Sequence, residues 1–142
     1  MYKKILFATD GSNYSKEAAK HAKFLAKASD AELIVLTVVE TSFSVGITDT
    51  NAIDRMKNIL WKNAEKVLDD FENEINPNNE IEIKKIVDEG SPAATILDRI
   101  VQENIDLAII GSSGKTGLSR FIIGSVAEKV VKSAACSVLV VH

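Results

Sequence analysis

Five short apolar runs recur along the chain. Between them lie longer segments whose apolar residues return every three or four positions. The first run, Lys4 to Thr9, has ILFA at its centre, too short and too apolar for a surface helix, and predicts a strand. The second, Glu32 to Val39, reads ELIVLTVV. Such a nearly unbroken run belongs to a central parallel strand with both faces buried. Glu80 to Val87 begins by alternating (Ile81, Ile83) but carries Lys84 and Lys85, and charge within a strand points to a sheet edge. Ile105 to Ile110 and Ser137 to Val141 are the fourth and fifth strands.

The intervening segments carry the helical period. Tyr14, Ala18, Ala22 and Leu25 predict a first helix over 14–29, with Ser12 or Ser15 as its cap after the turn Asp10 to Asn13. After an aperiodic stretch from Glu40 to Asp49, residues Ile53, Met56, Leu60, Ala64, Val67 or Leu68, Phe71 and Ile75 define a second helix. Pro77 and its flanking asparagines end it. Gly90-Ser91-Pro92 is a turn with Ser91 as N-cap and Pro92 at the first helical position. The third helix buries Ile96, Leu97, Ile100 and Val101. Ser125 and Glu128 have the spacing of a capping box, which places the start of the fourth helix at Ser125 or Val126.

Strict alternation of strand and helix predicts an α/β fold: one domain over residues 1–142, with a parallel sheet and helices on both faces. In such sheets ligands bind beyond the carboxyl ends of the strands, where the strand order reverses. Asp10, the 38–40 segment and Gly111 all fall at such ends, far apart in sequence yet on one rim.

Composition narrows the class. The chain has 142 residues, 46% hydrophobic and 26% charged, which is globular. Its formal net charge of -3 gives no reason to expect nucleic acid or an anionic membrane as partner. The lone Cys136 excludes an internal disulfide framework, the N-terminus lacks a signal-peptide pattern, and no apolar run approaches a membrane span. These features predict a cytoplasmic protein.

Candidate chemistry concentrates in the segment IDLAIIGSSGKTGLSRFIIGSV. A strand breaks at Gly111, a Gly/Ser/Lys/Thr-rich stretch follows, and Gly124-Ser125 opens a helix. This order suits a phosphate site, because glycine lets the backbone approach an anion and a helix N-terminus directs free N–H groups at it. Gly111, Gly114 and Gly124 allow the approach. Ser112, Ser113, Lys115 and Thr116 supply side-chain donors, and Ser125 adds a hydroxyl. The competing reading is an ordinary glycine-rich connection into a capped helix. The length of the connection favours a binding loop.

The segment is not a P-loop, since Ile109 stands where the first glycine would be. Nor is it a dinucleotide fingerprint, since Ser113 replaces the second glycine. Asp10 either caps its own turn or holds a divalent metal together with ligand phosphates. Val38 is a core side chain whose backbone could meet a base edge. His21, His142, Cys136 and Arg120 read as structural or solvated. No nucleophile motif, zinc motif or general base for hydrolysis stands out.

These residues carry a family resemblance. YKKILFATDGS, ELIVLTVVE, GSP, DLAIIGSSGKTGLSRFIIGSVAEKVV and CSVLVV together resemble the universal stress protein family along essentially the whole chain. The complete G-x2-G-x9-G-[ST] spacing resembles its ATP-binding branch. The resemblance implies a Rossmann-like (adenine nucleotide alpha hydrolase-like) open sheet of five parallel strands in order 3-2-1-4-5, with four helices. It places Ala8, Thr9 and Asp10 beside the nucleoside and the Val38 backbone at adenine. Gly111, Ser112, Ser113, Gly114, Lys115, Thr116 and Gly117 surround ribose and phosphates, and Gly124, Ser125 and Val126 meet the phosphates. It further implies ATP with Mg2+ or Mn2+ bound mainly through the phosphates, and a homodimer through the last strand, Val138 to Val141. Ala8, Ser113 and Ser137 depart from residues common in the family (Pro, His or Arg, and Pro).

The expected function is that of an ATP-binding regulatory or stress-response protein with slow or no hydrolysis. The rival expectations are a metal-dependent ATPase centred on Asp10 and a dimerisation module without nucleotide.

Overall fold

The computed structural model describes residues 1–41, 45–113 and 122–142. Its strands are β1 (Lys4–Ala8), β2 (Glu32–Val39), β3 (Ile83–Glu89), β4 (Leu107–Gly111) and β5 (Ser137–Val141). Its helices are α1 (Lys16–Ser29), α2 (Thr50–Ile75), α3 (Pro92–Gln102) and α4 (Ser125–Ser133). The strands form one parallel sheet in the order β3-β2-β1-β4-β5, as the resemblance implies.

Alternation along the strands divides the core in two. Ile5, Phe7, Leu33, Val35, Leu107 and Ile109 face α1 and α2. Leu6, Ile34, Leu36, Ala108 and Ile110 face α3 and α4. The four alanines of α1 that are buried, at 18, 19, 22 and 26, let that helix lie close on the sheet. Phe7 and Phe71 meet with ring centroids 5.1 Å apart and tie α2 to β1. Lys84 and Lys85 sit on β3, which is an edge strand as their charge predicts. No helix among the described residues is long and apolar enough to cross a membrane.

Several local expectations are corrected. The segment Asn13–Ser15 is a 3-10 turn, and α1 begins at Lys16. Neither Ser12 nor Ser15 makes a side-chain cap bond there. Ser15 is engaged instead in the turn described below. Ser91 is the N-cap of α3 with Pro92 in the first turn, yet its hydroxyl makes no cap bond. The capping box at Ser125 is displaced by one residue. Gly124 occupies the N-cap position, Ser125 is already helical, and Glu128 pairs with Lys132 at 2.7 Å. Val101 is 65% exposed rather than core. Cys136 is half-buried beside the α3 and α4 core, and burial pushes its thiol pKa up, which leaves it inert as a nucleophile.

Candidate functional site

The carboxyl ends of β1, β2 and β4 border a cavity of about 650 Å³. Its walls come from Ala8 to Asp10, Leu36 to Glu40, Ile110 to Ser113 and the start of α4. Met56, Leu60 and Val67 of α2 close one side, and Pro92 and Ile96 of α3 the other. This explains an oddity of α2. Its apolar stripe runs the length of the helix, but only its later part, Ala64, Leu68, Phe71 and Ile75, is buried in core. Met56 and Leu60 look into the cavity.

The β1 turn is held by a closed chain of hydrogen bonds. The Gly11 N–H donates to Thr9 Oγ1 (3.1 Å), Thr9 Oγ1 donates to Ser15 Oγ (3.0 Å), and Ser15 Oγ donates to the Ser12 carbonyl (2.7 Å). The Ser12 N–H donates to Asp10 Oδ1 at 2.9 Å, so the turn-capping role of Asp10 is realised. Gly11 has φ +75, and a Cβ there would lie 2.6 Å from Val67 Cγ2. Glycine is required on both counts.

The consequence appears on β2. Its even-numbered residues bond toward β1: the Glu32 N–H donates to Lys3 O, and Leu36 O accepts from the Thr9 N–H. Its odd-numbered residues bond toward β3: the Leu33 N–H donates to Glu82 O, and Val39 O accepts from the Gly90 N–H. The Val38 N–H and C=O therefore point to the β1 side. Continuing the ladder would offer them Thr9 O and the Gly11 N–H. Both are engaged elsewhere. Thr37 Oγ1 donates to Thr9 O at 3.0 Å, and Thr9 Oγ1 takes the Gly11 N–H. Among the described residues the Val38 N–H and C=O make neither bond to the β1 turn, and Val38 lines the cavity.

At the other end of the cavity, the Gly124 N–H donates to Ser112 O at 2.6 Å, and the Ser112 N–H donates to Val141 O at 2.8 Å. A Cβ on Gly124 would lie 3.0 Å from Ser112 O, so only glycine seats the start of α4 this close to the end of β4. Gly124 at the N-cap has no side chain with which to cap the first turn of α4, the position at which helix N–H groups can meet an anion. Among the described lining residues, Asp10 and Glu40 carry the carboxylates, and no lysine or arginine is present. No group of three or more metal-binding side chains occurs among the described residues. A divalent metal would thus take most of its ligands from a bound phosphate chain, with the free oxygen of Asp10 in reach of the same cavity.

The structure brings together Ala8, Thr9, Asp10, Val38, Gly111, Ser112, Ser113, Gly124, Ser125 and Val126. Gly114, Lys115, Thr116 and Gly117, with Arg120, lie outside the described residues. Sequence reasoning passed over Ser15, Thr37 and the α2 wall. Thr37 carried a signal, being a hydroxyl within an otherwise apolar central strand, where it must find a hydrogen-bond partner.

An open parallel sheet with a cavity at its topological switch point is the architecture in which α/β domains carry their ligand sites. The chain belongs to the universal stress protein family, which matches residues 1–142. It is 39% identical over 141 residues to a universal stress protein of Methanocaldococcus jannaschii, covering 99% of this chain and 82% of that one. The universal stress protein UspA of Lactobacillus plantarum superposes with a TM-score of 0.88 at 25% identity, over 99% of this chain and 98% of that one. Two more distant structures share the fold. One is a universal stress protein in complex with cAMP (TM-score 0.73, 22% identity, 99% and 97% coverage). The other is an Arabidopsis thaliana family protein with AMP bound (TM-score 0.65, 17% identity, 98% and 90% coverage).

Proposed function

We propose that this chain binds an adenine nucleotide in the rim cavity, with ATP and Mg2+ or Mn2+ as the ligand, and acts as a nucleotide-dependent regulatory protein with slow or no hydrolysis. One observation carries the reading. The cavity has, among the described residues, a backbone donor and acceptor of Val38 without a bond to the β1 turn on one side and a helix start with glycine at its N-cap, Gly124-Ser125, on the other. A purine presents a donor and an acceptor on one edge, and a phosphate chain suits a helix N-terminus. Met56, Leu60 and the β2 end supply apolar surface for the base between them. Nucleotides bound to two proteins of the same fold, cAMP and AMP, support the ligand class.

Asp10 would contribute to the metal through the phosphates, and Thr9 and Ala8 would lie along the nucleoside. The metal-dependent ATPase reading remains centred on Asp10 and requires multiple turnovers that vanish in Asp10→Asn. A homodimer through β5 completes the proposal. Val138 to Val141 forms an apolar strand at the sheet edge, a surface that pairing would protect.

The test is calorimetry of nucleotide-stripped protein with ATP, with and without Mg2+, and with AMP alongside. Saturable binding near one ATP per chain is expected. Folded protein that gives no saturable heat with either nucleotide overturns the reading and leaves the dimerisation module.

A further inference from the structure

We infer that Thr37 is the positioning residue that keeps the base-reading edge of Val38 open, by drawing the Thr9 carbonyl to its own hydroxyl. This rests on the nucleotide reading above and assigns a residue to its base selectivity.

One acceptor is decisive, the Thr9 carbonyl. The pairing of β1 with β2 ends at Ala8 and Leu36; one step further along the ladder would set the Val38 N–H against Thr9 O, as the Glu32 N–H meets Lys3 O at the start of the strand pair. That bond is not made among the described residues, and the Thr37 hydroxyl reaches Thr9 O instead, at 3.0 Å from the neighbouring position on the same strand. Thr37 is 6% exposed and Thr9 9% exposed, so the bond between them is held within the protein wall of the cavity. Thr9 Oγ1 performs the matching task on the other side by taking the Gly11 N–H, but it also holds the turn through Ser15. Its loss would disturb Asp10 as well. Thr37 makes one described side-chain bond and lies outside the phosphate end, which makes it the cleaner probe.

Replacing Thr37 by valine keeps the shape and removes the hydroxyl. Thr9 O then accepts from the Val38 N–H, the ladder extends, and the donor that a base would use is consumed. Serine keeps the hydroxyl. The phosphate end, built from the Gly124-Ser125 helix start and Ser112, is untouched by either change.

The experiment compares wild-type protein, Thr37→Val and Thr37→Ser for binding of Mg-ATP and of inorganic tripolyphosphate with Mg2+. Thr37→Val is expected to weaken ATP binding about tenfold, the worth of one hydrogen bond to a desolvated base. Tripolyphosphate affinity should stay within about twofold, and Thr37→Ser should bind ATP like the wild type. The inference is overturned if Thr37→Val binds ATP as the wild type does, if ATP and tripolyphosphate weaken together, or if Thr37→Ser fails to restore binding. Wild-type protein that binds neither probe removes the nucleotide reading itself, and this inference with it. A circular dichroism melt of each variant separates these results from unfolding.

Discussion

The two rims of the sheet treat their backbone in opposite ways. At the rim where the strands begin, side chains saturate it. Asn76 is buried and bonds reciprocally with Ile81, its Nδ2 donating to Ile81 O (2.9 Å) and its Oδ1 accepting from the Ile81 N–H (3.2 Å). Asp106 accepts the N–H groups of both Lys3 and Lys4, at 2.8 and 2.9 Å, and joins the start of β4 to that of β1. A small hollow of about 80 Å³ lies there, beside Asp30 and Ile81. At the rim where the strands end, two threonine hydroxyls do the reverse. They occupy backbone groups of the β1 turn, and the Val38 edge goes unpaired beside a cavity about eight times larger. One sheet thus has an end closed by side-chain bonds and an end that opens on a cavity, and on the proposed function the first serves stability and the second recognition.

If that division is right, variants at the two rims should separate stability from affinity. The largest effect belongs to the sealed rim. Asn76→Ala leaves the buried N–H and C=O of Ile81 without partners and should cost about 2–4 kcal/mol of unfolding free energy. ATP affinity should not change, and denaturant titration and calorimetry together would show both. The next belongs to the open rim. Gly124→Leu forces a Cβ to about 3.0 Å from Ser112 O and spoils the seating of α4. The backbone there has φ -65, so the chain itself is not strained. ATP affinity should fall by at least about thirtyfold, roughly 2 kcal/mol, while the protein still folds. Normal ATP binding by folded Gly124→Leu would erase the distinction between the rims.

A smaller effect follows from pH. The Lys4 and Lys3 N–H groups hold the Asp106 carboxyl below its ordinary range. Its folded pKa is depressed, so its contribution is complete above the unfolded value near ~3.9 and is lost as pH falls through the folded value. Asp106→Asn should therefore be less stable than the wild type at neutral pH, with the gap closing below about pH 4. A gap that widens in acid would reverse the sign of this account. Nucleotide affinity at neutral pH should be indifferent to the change.

The sealed and open ends were not equally legible in the sequence. The sheet could be read because apolar runs report burial directly: ELIVLTVV has two buried faces and occupies a central place, and the lysines of β3 mark an edge. The glycine spacing reported the close seating of α4 on the end of β4, because a missing side chain at Gly124 leaves its trace in the residue type. The cap at α4 was misplaced by one residue because Ser-x-x-Glu satisfies the pattern of a capping box, while the close contact of Gly124 with Ser112 decides the frame. The base end left almost no trace. Val38 would act through atoms common to every residue, and the bonds beside it are made by hydroxyls at Thr37 and Thr9 that local sequence reads as ordinary strand formers. The wall from α2 was hidden for a related reason. Met56 and Leu60 continue the stripe of Phe71 and Ile75, and only the tertiary position tells cavity from core.

The most direct measurement is the Val38 backbone amide, followed by nuclear magnetic resonance during titration with Mg-ATP and, separately, with Mg-tripolyphosphate. At saturating ATP the Val38 amide should shift and gain protection from hydrogen exchange, while tripolyphosphate moves the amides of Ser125 and Val126 and leaves Val38 in place. A Val38 amide that neither shifts nor gains protection at saturating ATP would contradict the account.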